Sequence, residues 1–245
     1  MNPRSIYELL LERAEDETSI EEIIIGLTWT YCQADGIGLC MSPAIPTRTL
    51  PWPGTLVGKS IASLAPWVKS WNAYEATIGL AAINASINRR STLIERAEPI
   101  GTGNLAVFER FLPLIRGRKV AVIGRYPGLQ RYEEQVELTV IERQPTERDL
   151  PDPAAEYILP GVDWVFLTAT SIANKTFPRL MELSRNAKVV LMGPTVPWLA
   201  EFADMGVDYL AGVNVTNPIA LKQTIAEGGG VRIFETGVEY RVLTF

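Results

Sequence analysis

Five apolar runs in the second half of the chain constrain its fold more than any other feature. Each is a near-continuous stretch rich in Val, Ile and Leu that ends in a small or polar turn, and they cover residues 119–124, 138–142, 163–168, 188–193 and 207–212. Continuous rather than alternating apolar runs are typical of strands buried on both faces of a parallel sheet. Because helical patterns separate most of these runs, we predict an α/β, Rossmann-like domain with a mainly parallel sheet over residues 101–245.

The first hundred residues have a different pattern. Residues 22–33 form one strand-like run, Asp35-Gly36 is a hairpin turn signal, and residues 37–41 return as a second strand. A loop rich in Pro and Gly follows over 43–58, and helical patterns then cover 60–70 and 73–89. These features predict an α+β domain over residues 1–100, with a small antiparallel sheet and a junction at 96–102.

Two more strands are predicted at the end of the chain, at 231–235 and 239–243, the second pairing beside the first. Both runs are short and rich in β-branched and aromatic residues. Residues 143–157 are polar and punctuated by proline, so we expect them to form a connection.

Composition excludes several classes of function. The net charge of −5 and the sequence pI of about 5.0 argue against nucleic acid or an anionic membrane surface as a partner. No apolar run is long enough to span a bilayer, so a cytoplasmic protein is expected.

The chain contains no histidine, which removes Ser-His and Cys-His nucleophile arrangements and every mixed histidine zinc site. Two cysteines, Cys32 and Cys40, cannot close a structural zinc site by themselves. A general acid or base would have to be Glu, Asp, Lys, Tyr or Cys with a displaced pKa.

Residues 168–176, Thr-Ala-Thr-Ser-Ile-Ala-Asn-Lys-Thr, leave the third predicted strand with hydroxyls, an amide and an ammonium group. Ligands bind outside the carboxyl ends of strands in open α/β sheets, so this loop is a candidate binding segment for a carboxylate, phosphate or oxyanion. The alternative is that Thr170 or Ser171 caps a helix and Lys175 is a solvated charge.

Glu142 ends the second predicted strand, 18 residues after Gly124. Dinucleotide enzymes and adenosylmethionine-dependent methyltransferases place a ribose-binding carboxylate at this position. The turn after Gly124 contains Pro127 where a glycine-rich loop would be expected, and this makes it a poor pyrophosphate cradle. The alternative is that Glu142 simply pairs with Arg125 or Arg143 at the edge of the sheet.

Two other turns are predicted to reach the same edge of the sheet. One is Gly193-Pro-Thr-Val-Pro197, whose two prolines fix the position of the Thr195 hydroxyl. The other follows residue 212 and contains Asn217 directly before Pro218.

Two residues of a predicted helix in the first half also stand out. Gly79 would let another backbone come close to the helix, and Asn84, if buried, would need hydrogen-bond partners from a neighbouring loop or from a ligand.

The residues of several of these motifs occur in the same order as in a known two-domain family. They are 79–85, 122–127, 141–143, 168–176, 193–197 and 210–213. The chain resembles the family named "putative heavy-metal chelation domain", and the resemblance covers nearly its whole length. It implies an enolase-amino-terminal-like domain, a Rossmann-like domain and a pocket between them.

The functional expectation is therefore a protein that binds an anionic small molecule or a metabolite related to metal chelates. Lys175, which could hold charge, and Glu75, which could move a proton, are the candidate acid–base pair if the protein is an enzyme. The candidate ligand-binding residues are Gly124, Glu142, Thr168, Thr170, Asn174, Thr176, Gly193, Thr195 and Asn217.

Two alternatives stay open: a non-catalytic binding protein for a metabolite or metal chelate, and an adenosylmethionine-dependent transferase. The sequence names no cofactor and no metal. The region of Trp52, Trp67 and Trp71 could belong to the core or to a homodimer contact, and a core position is the more frequent case.

Overall fold

The computed structural model of the protein describes residues 4–14 and 17–245. Its first part combines helices with a small sheet. The helices are α1 (Ser5–Arg13), α2 (Ile61–Leu64), α3 (Ala73–Arg90) and α4 (Leu93–Arg96), and the strands are β1 (Glu22–Ile25), β2 (Trp29–Gln33) and β3 (Ile37–Met41). A 3-10 helix at Ala65–Lys69 continues α2.

The rest of the chain alternates strands and helices. The strands are β4 (Glu98–Gly101), β5 (Lys119–Ile123), β6 (Glu137–Ile141), β7 (Trp164–Thr168), β8 (Lys188–Met192), β9 (Tyr209–Val215) and β10 (Val238–Thr244). The helices are α5 (Ala106–Ile115), α6 (Ala155–Ile158), α7 (Thr170–Ala173), α8 (Phe177–Leu183), α9 (Pro218–Ala226) and α10 (Ile233–Thr236). Single 3-10 turns lie at Leu129–Tyr132, Asp152–Ala154, Leu159–Gly161 and Ala200–Met205.

The described residues form two separate sheets. β1, β2 and β3 make a three-stranded antiparallel sheet, and the other seven strands make a mixed sheet in the order β4-β10-β9-β8-β7-β5-β6. Six of these seven run in the same direction, and the five from β9 to β6 pair in parallel; β10 is antiparallel to both of its neighbours, β9 and β4. The fold is thus α+β with a mixed main sheet, and the mainly parallel sheet predicted from the apolar runs accounts for its centre.

The burial of the central strands explains why their apolar runs predicted them from the sequence. The last four residues of β5 and β8 and the first four of β7 are buried, as expected for strands with helices on both faces. Hydrophobic clusters lie on both faces of the sheet, one containing Phe111 and Phe166 and the other Phe177 and Phe202. None of the helices in the described ranges is long and apolar enough to cross a membrane.

Two secondary-structure predictions were wrong, and one strand was not predicted. Residues 22–33 form two strands, β1 and β2, because the chain turns at Gly26, where a Cβ atom would lie 2.6 Å from the carbonyl oxygen of Ile225. Residues 231–235 were predicted as a strand but lead into α10, which Gly237 ends. The predicted junction at 96–102 contains β4, which pairs with β10 at the edge of the mixed sheet.

Helix α3 packs closely against its surroundings through small residues. A Cβ atom on Gly79 would lie 2.2 Å from the backbone nitrogen of Val68, which confirms the expected close approach of a second backbone. From the opposite side, a Cβ atom on Gly38 in β3 would lie 2.0 Å from the carbonyl oxygen of Ala81. These contacts fix the distance of α3 from both β3 and the 3-10 helix at Ala65–Lys69.

The three tryptophans of the first half lie in different environments. Trp52 and Trp67 pack against the core with their ring centroids 5.3 Å apart, whereas the ring of Trp71 is exposed. Trp52 and Trp67 therefore pack as part of the core. A homodimer stays a prediction, and so do the enolase-like and Rossmann-like names of the two domains.

Candidate functional site

A cavity of about 810 Å³ lies at the carboxyl ends of the central parallel strands. Its floor is formed where β5, β7 and β8 end, and its roof by the segment that follows β3 together with the start of α3. The parallel strands lie in the order β6-β5-β7-β8-β9. The connection from β5 to β6 therefore runs one way along the sheet, and the connection from β6 to β7 returns past β5 to its other side. Open α/β sheets bind ligands in the crevice at such a switch point, and the cavity lies there.

The floor depends on two glycines with left-handed backbone conformations. Gly124 follows β5 with a φ of 94°, and Gly193 follows β8 with a φ of 108°. A Cβ atom on Gly124 would lie 3.2 Å from the Cγ2 atom of Thr168, so the ends of β5 and β7 approach closely. Larger residues at the two glycines would strain the backbone and narrow the cavity.

The segment after β7 brings four predicted residues to the cavity. Thr168, Thr170, Asn174 and Thr176 all line it, and each is partly exposed. Ser171, between them in sequence, also lines it but is almost completely buried. The candidate loop therefore supplies hydroxyl and amide groups to the cavity wall, and ligand binding by these residues stays a prediction.

Lys175 belongs to the same segment but is not among the described residues that line the cavity. Its φ of 67° places it in the left-handed region, which is unusual for a residue with a side chain. Its Nζ atom donates a hydrogen bond of 2.8 Å to the carbonyl oxygen of Ala173 and lies 5.9 Å from the ring centroid of Tyr7. Burial lowers the pKa of Lys175 to about 8.

Glu75 and Asn217 also lie outside the cavity lining. The Oε2 atom of Glu75 accepts a hydrogen bond from the Ser70 hydroxyl at 2.5 Å, on the first turn of α3. Asn217 caps α9 by accepting a hydrogen bond of 3.1 Å from the backbone nitrogen of Ala220. The cavity thus does not bring together the predicted acid–base pair of Lys175 and Glu75.

Glu142 lines the cavity, but its carboxylate already accepts two backbone hydrogen bonds. Oε2 accepts from the nitrogen of Arg125 at 2.8 Å, and Oε1 accepts from the nitrogen of Gln144 at 3.2 Å. These bonds tie the turn after β5 to the turn after β6. Glu142 therefore shapes the cavity wall as well as contributing charge to it.

Thr195 lines the cavity from a buried position and links two parts of the chain. Its hydroxyl accepts a hydrogen bond of 3.1 Å from the backbone nitrogen of Met41, and its carbonyl oxygen accepts one of 2.9 Å from Asn84. The Asn84 side chain also donates to the carbonyl oxygen of Leu39 at 2.9 Å. Of the two roles left open for Asn84, the structure therefore gives it the role of joining β3 to the loop after β8.

The charged groups of the cavity are paired with one another. Arg143 lies 3.0 Å from Asp152, and the Nε atom of Arg179 lies 2.8 Å from Glu156. Arg125 pairs with Asp149, which lies just outside the lining. With Glu142 included, the cavity lining carries balanced charge rather than an excess of positive charge.

Sequence reasoning missed the aromatic part of the wall. Trp29, Tyr126, Phe234 and Tyr240 line the cavity but come from β2, the turn after β5, α10 and β10. Burial raises the pKa of Tyr126 and that of Tyr240 well above the ordinary value. Only the turn of Tyr126 carried a signal, since it directly follows the first glycine of the predicted site.

A metal site made by protein groups is not found in the described residues. They contain no cluster of three or more His, Cys, Asp or Glu side chains arranged to hold an ion. Cys32 and Cys40 are buried, and burial raises the pKa of each thiol to about 12, so both stay protonated near neutral pH.

Comparison with known proteins identifies the family. A model of the DUF364 family, described as "Putative heavy-metal chelation", matches residues 106–244, and one of the DUF4213 family with the same description matches residues 7–87. A curated relative, "Uncharacterized protein MJ0500" of Methanocaldococcus jannaschii, is 27% identical over 167 residues. That match covers 65% of this chain and 62% of the relative's length.

Two crystal structures share the whole fold. A protein with unknown function from the DUF364 family of Desulfitobacterium hafniense DCB-2 is 31% identical, with a TM-score of 0.86 over 99% of this chain and 98% of that one. A DUF364 protein with unknown function from Pyrococcus horikoshii is 26% identical, with a TM-score of 0.80 over 100% of both chains. The chain therefore belongs to the DUF364 family, whose model carries the description of heavy-metal chelation.

Proposed function

We propose that the protein binds a small organic molecule in the cavity at the carboxyl ends of β5, β7 and β8, and that its ligands include metals already held by an organic chelator. The cavity itself carries this proposal. Its volume of about 810 Å³ lies within the range typical of small-molecule sites, and its position is where sheets of this topology bind ligands.

The chemistry of the wall suits hydrogen bonding and apolar contact better than attraction by net charge. Thr168, Thr170 and Asn174 offer hydroxyl and amide groups, and apolar residues lie between them. The arginines of the wall are paired with carboxylates, and Lys175 points elsewhere. We therefore extend the expected ligand from an anion to a molecule of low net charge.

The donor groups of the chain do not fit direct ligation of a heavy metal. There is no histidine in the sequence, and the cysteines are buried thiols outside the cavity lining. The family description is consistent with these residues if the metal arrives as cargo, with its ligands supplied by the chelator. The polar groups of the wall would then contact the organic shell and not the ion.

Binding without catalysis is the simpler form of the proposal. A general acid–base mechanism needs a group within hydrogen-bond reach of the reacting atoms. The predicted pair, Lys175 and Glu75, is engaged with Ala173 and Ser70 outside the cavity. Both oxygens of Glu142 accept backbone hydrogen bonds, which also leaves the transferase alternative without a specific observation in its favour.

Native mass spectrometry of the purified protein, followed by denaturing release, tests the proposal. We expect a bound organic mass, with or without a metal, that is lost or reduced in the variant Thr170→Trp because the larger side chain occupies the part of the cavity next to the end of β7. Thr216→Trp is the control, since Thr216 is exposed and outside the lining. The same mass in wild type and Thr170→Trp would contradict a ligand site in this cavity.

A further inference from the structure

Four aromatic residues, Trp29, Tyr126, Phe234 and Tyr240, contribute to the wall of the cavity. Trp29 is held by a hydrogen bond of 3.0 Å from its Nε1 atom to the carbonyl oxygen of Gly230, next to Val231 in the wall. Phe234 follows, and its ring stacks on Tyr240 with centroids 4.8 Å apart and an interplanar angle of 13°. Tyr126 lies beside Gly193, where a Cβ atom would lie 3.5 Å from its hydroxyl.

This aromatic wall is rigid because each ring is fixed from behind. Tyr126 packs edge-on against Phe108 with centroids 5.4 Å apart. Tyr240 lies within β10 between two hydrogen-bonded neighbours, opposite Val213 on β9. Fixed aromatic rings bind flat apolar groups with little loss of side-chain entropy, so the wall suits a planar partner.

Two hydroxyls that border the cavity have no hydrogen-bond partner among the described residues. They are the Oη atom of Tyr240 and the Oγ atom of Ser171, and both are buried. Buried hydroxyls without partners are uncommon and destabilising. Tyr240 remains protonated at neutral pH, so its hydroxyl can donate a hydrogen bond to an acceptor that reaches this edge of the cavity.

We infer that the cavity binds a planar aromatic ring that carries a carbonyl or carboxylate oxygen. The ring lies against the aromatic wall, and the oxygen accepts a hydrogen bond from Tyr240 or from Ser171. These residues are 0% and 1% exposed, so the groups that cover their hydroxyls shift when the ligand binds. This inference deepens the proposed function and rests on it. Nucleotide phosphates fit less well, since the turn after β5 contains Pro127 and the arginines of the wall are already paired.

A matched pair of probes tests the inference by isothermal titration calorimetry. They are 2-naphthoate and its fully saturated analogue, trans-decahydro-2-naphthoate, which has the same carbon skeleton and the same carboxylate. We expect the naphthoate to bind about tenfold more tightly, because aromatic contacts add to the burial of area. Equal affinities, or tighter binding of the saturated acid, would overturn the aromatic site.

The hydroxyl donors are tested by variants that keep the ring or the volume. Tyr240→Phe should weaken 2-naphthoate binding by about tenfold without lowering the melting temperature, since a charged acceptor loses one donor. Ser171→Ala should weaken it by a smaller factor. Tyr132→Phe is the control, because Tyr132 is a buried phenol that does not border the cavity.

The outcomes separate this inference from the proposed function. If 2-naphthoate fails to bind, or binds Tyr240→Phe and wild type equally, the aromatic-carbonyl site is overturned. The proposed function still stands in that case if a natural ligand is released from wild type and not from Thr170→Trp. If Thr170→Trp binds 2-naphthoate as wild type does, the probe does not reach the end of β7, and the part of the inference that makes Ser171 a donor fails.

Discussion

The side-chain amide of Asn84 donates hydrogen bonds of 2.9 Å to the carbonyl oxygens of Leu39 and Thr195. One buried residue of α3 thereby joins β3 to the loop after β8, and so holds the roof of the cavity to its floor. Thr195 adds to this link, because its hydroxyl accepts a hydrogen bond from the backbone nitrogen of Met41. The cavity wall and the stability of the fold depend here on the same bonds.

Asn84→Ala should therefore lower the free energy of unfolding by about 2–3 kcal/mol, because two buried carbonyls lose their donor. Chemical denaturation with urea measures the change. Asn88→Ala is the matched control on the same helix, since the Asn88 Oδ1 atom accepts a single, partly buried bond of 3.2 Å from the nitrogen of Trp198. A loss at Asn84 no larger than at Asn88 would contradict the assigned role.

Gly79→Ala should destabilise the protein although alanine is the better helix former. The helix propensity gained is about 1 kcal/mol, but the added methyl group would meet the backbone of Val68 at 2.2 Å, and overpacking of this kind costs roughly 1–3 kcal/mol or more. Differential scanning calorimetry should show a lower melting temperature. Gly161→Ala, which has nothing within 4 Å of the new methyl group, should be nearly neutral.

The stability of the protein should rise with pH above about 8 through Lys175. Its pKa is about 8 in the folded protein and 10.5 when unfolded, because burial disfavours the charged amine. Between these values the unfolded chain binds more protons than the folded one, so raising the pH stabilises the fold. Below pH 8 both states are protonated and the full penalty for the buried charge remains.

The variant Lys175→Met removes this titration and keeps a side chain of similar length. We expect its advantage in free energy of unfolding over wild type to be larger at pH 7.5 than at pH 9.5, as measured by urea denaturation at both values. A difference independent of pH would show that the folded-state pKa of Lys175 is not lowered.

Free divalent metal ions should not bind to the folded protein at a defined site. Titration with Ni²⁺, Zn²⁺ or Co²⁺ in competition with a chromophoric chelator is expected to give no saturable one-to-one binding, because the described residues offer no cluster of ligands and the thiols are protonated. A saturable one-to-one site in the wild type would contradict the view that the metal comes with its own organic ligands, and its loss in Cys32→Ser or Cys40→Ser would assign it to the thiols.

The sequence was most informative where local pattern and tertiary environment agree. The five apolar runs correspond to β5 to β9, and the hydroxyl-rich segment after β7 lines the cavity. In contrast, Lys175 lies next to two lining residues but is not itself in the lining; it has a left-handed φ, and its ammonium group binds the carbonyl oxygen of Ala173. The sequence Asn174-Lys175-Thr176 contains no signal that predicts this conformation.

Other differences arise from contacts between distant parts of the chain. The aromatic wall contains Trp29 and Tyr240, which lie far apart in the sequence, and no local motif predicts that both line one cavity.

The pattern around Asn217 was ambiguous, because it fitted either a ligand-binding residue or a helix cap. Asn before Pro is typical of a helix cap, and the structure uses it as one.

The position of β10 has a consequence for how the protein folds as it is synthesised. This strand is the last of the mixed sheet in chain order, yet it lies between β4 and β9. Until it emerges from the ribosome, β9 has an open edge and β4 has no partner at all. Open strand edges on a nascent chain invite pairing with other chains, so the interval before β10 is released is when the protein most needs protection by chaperones.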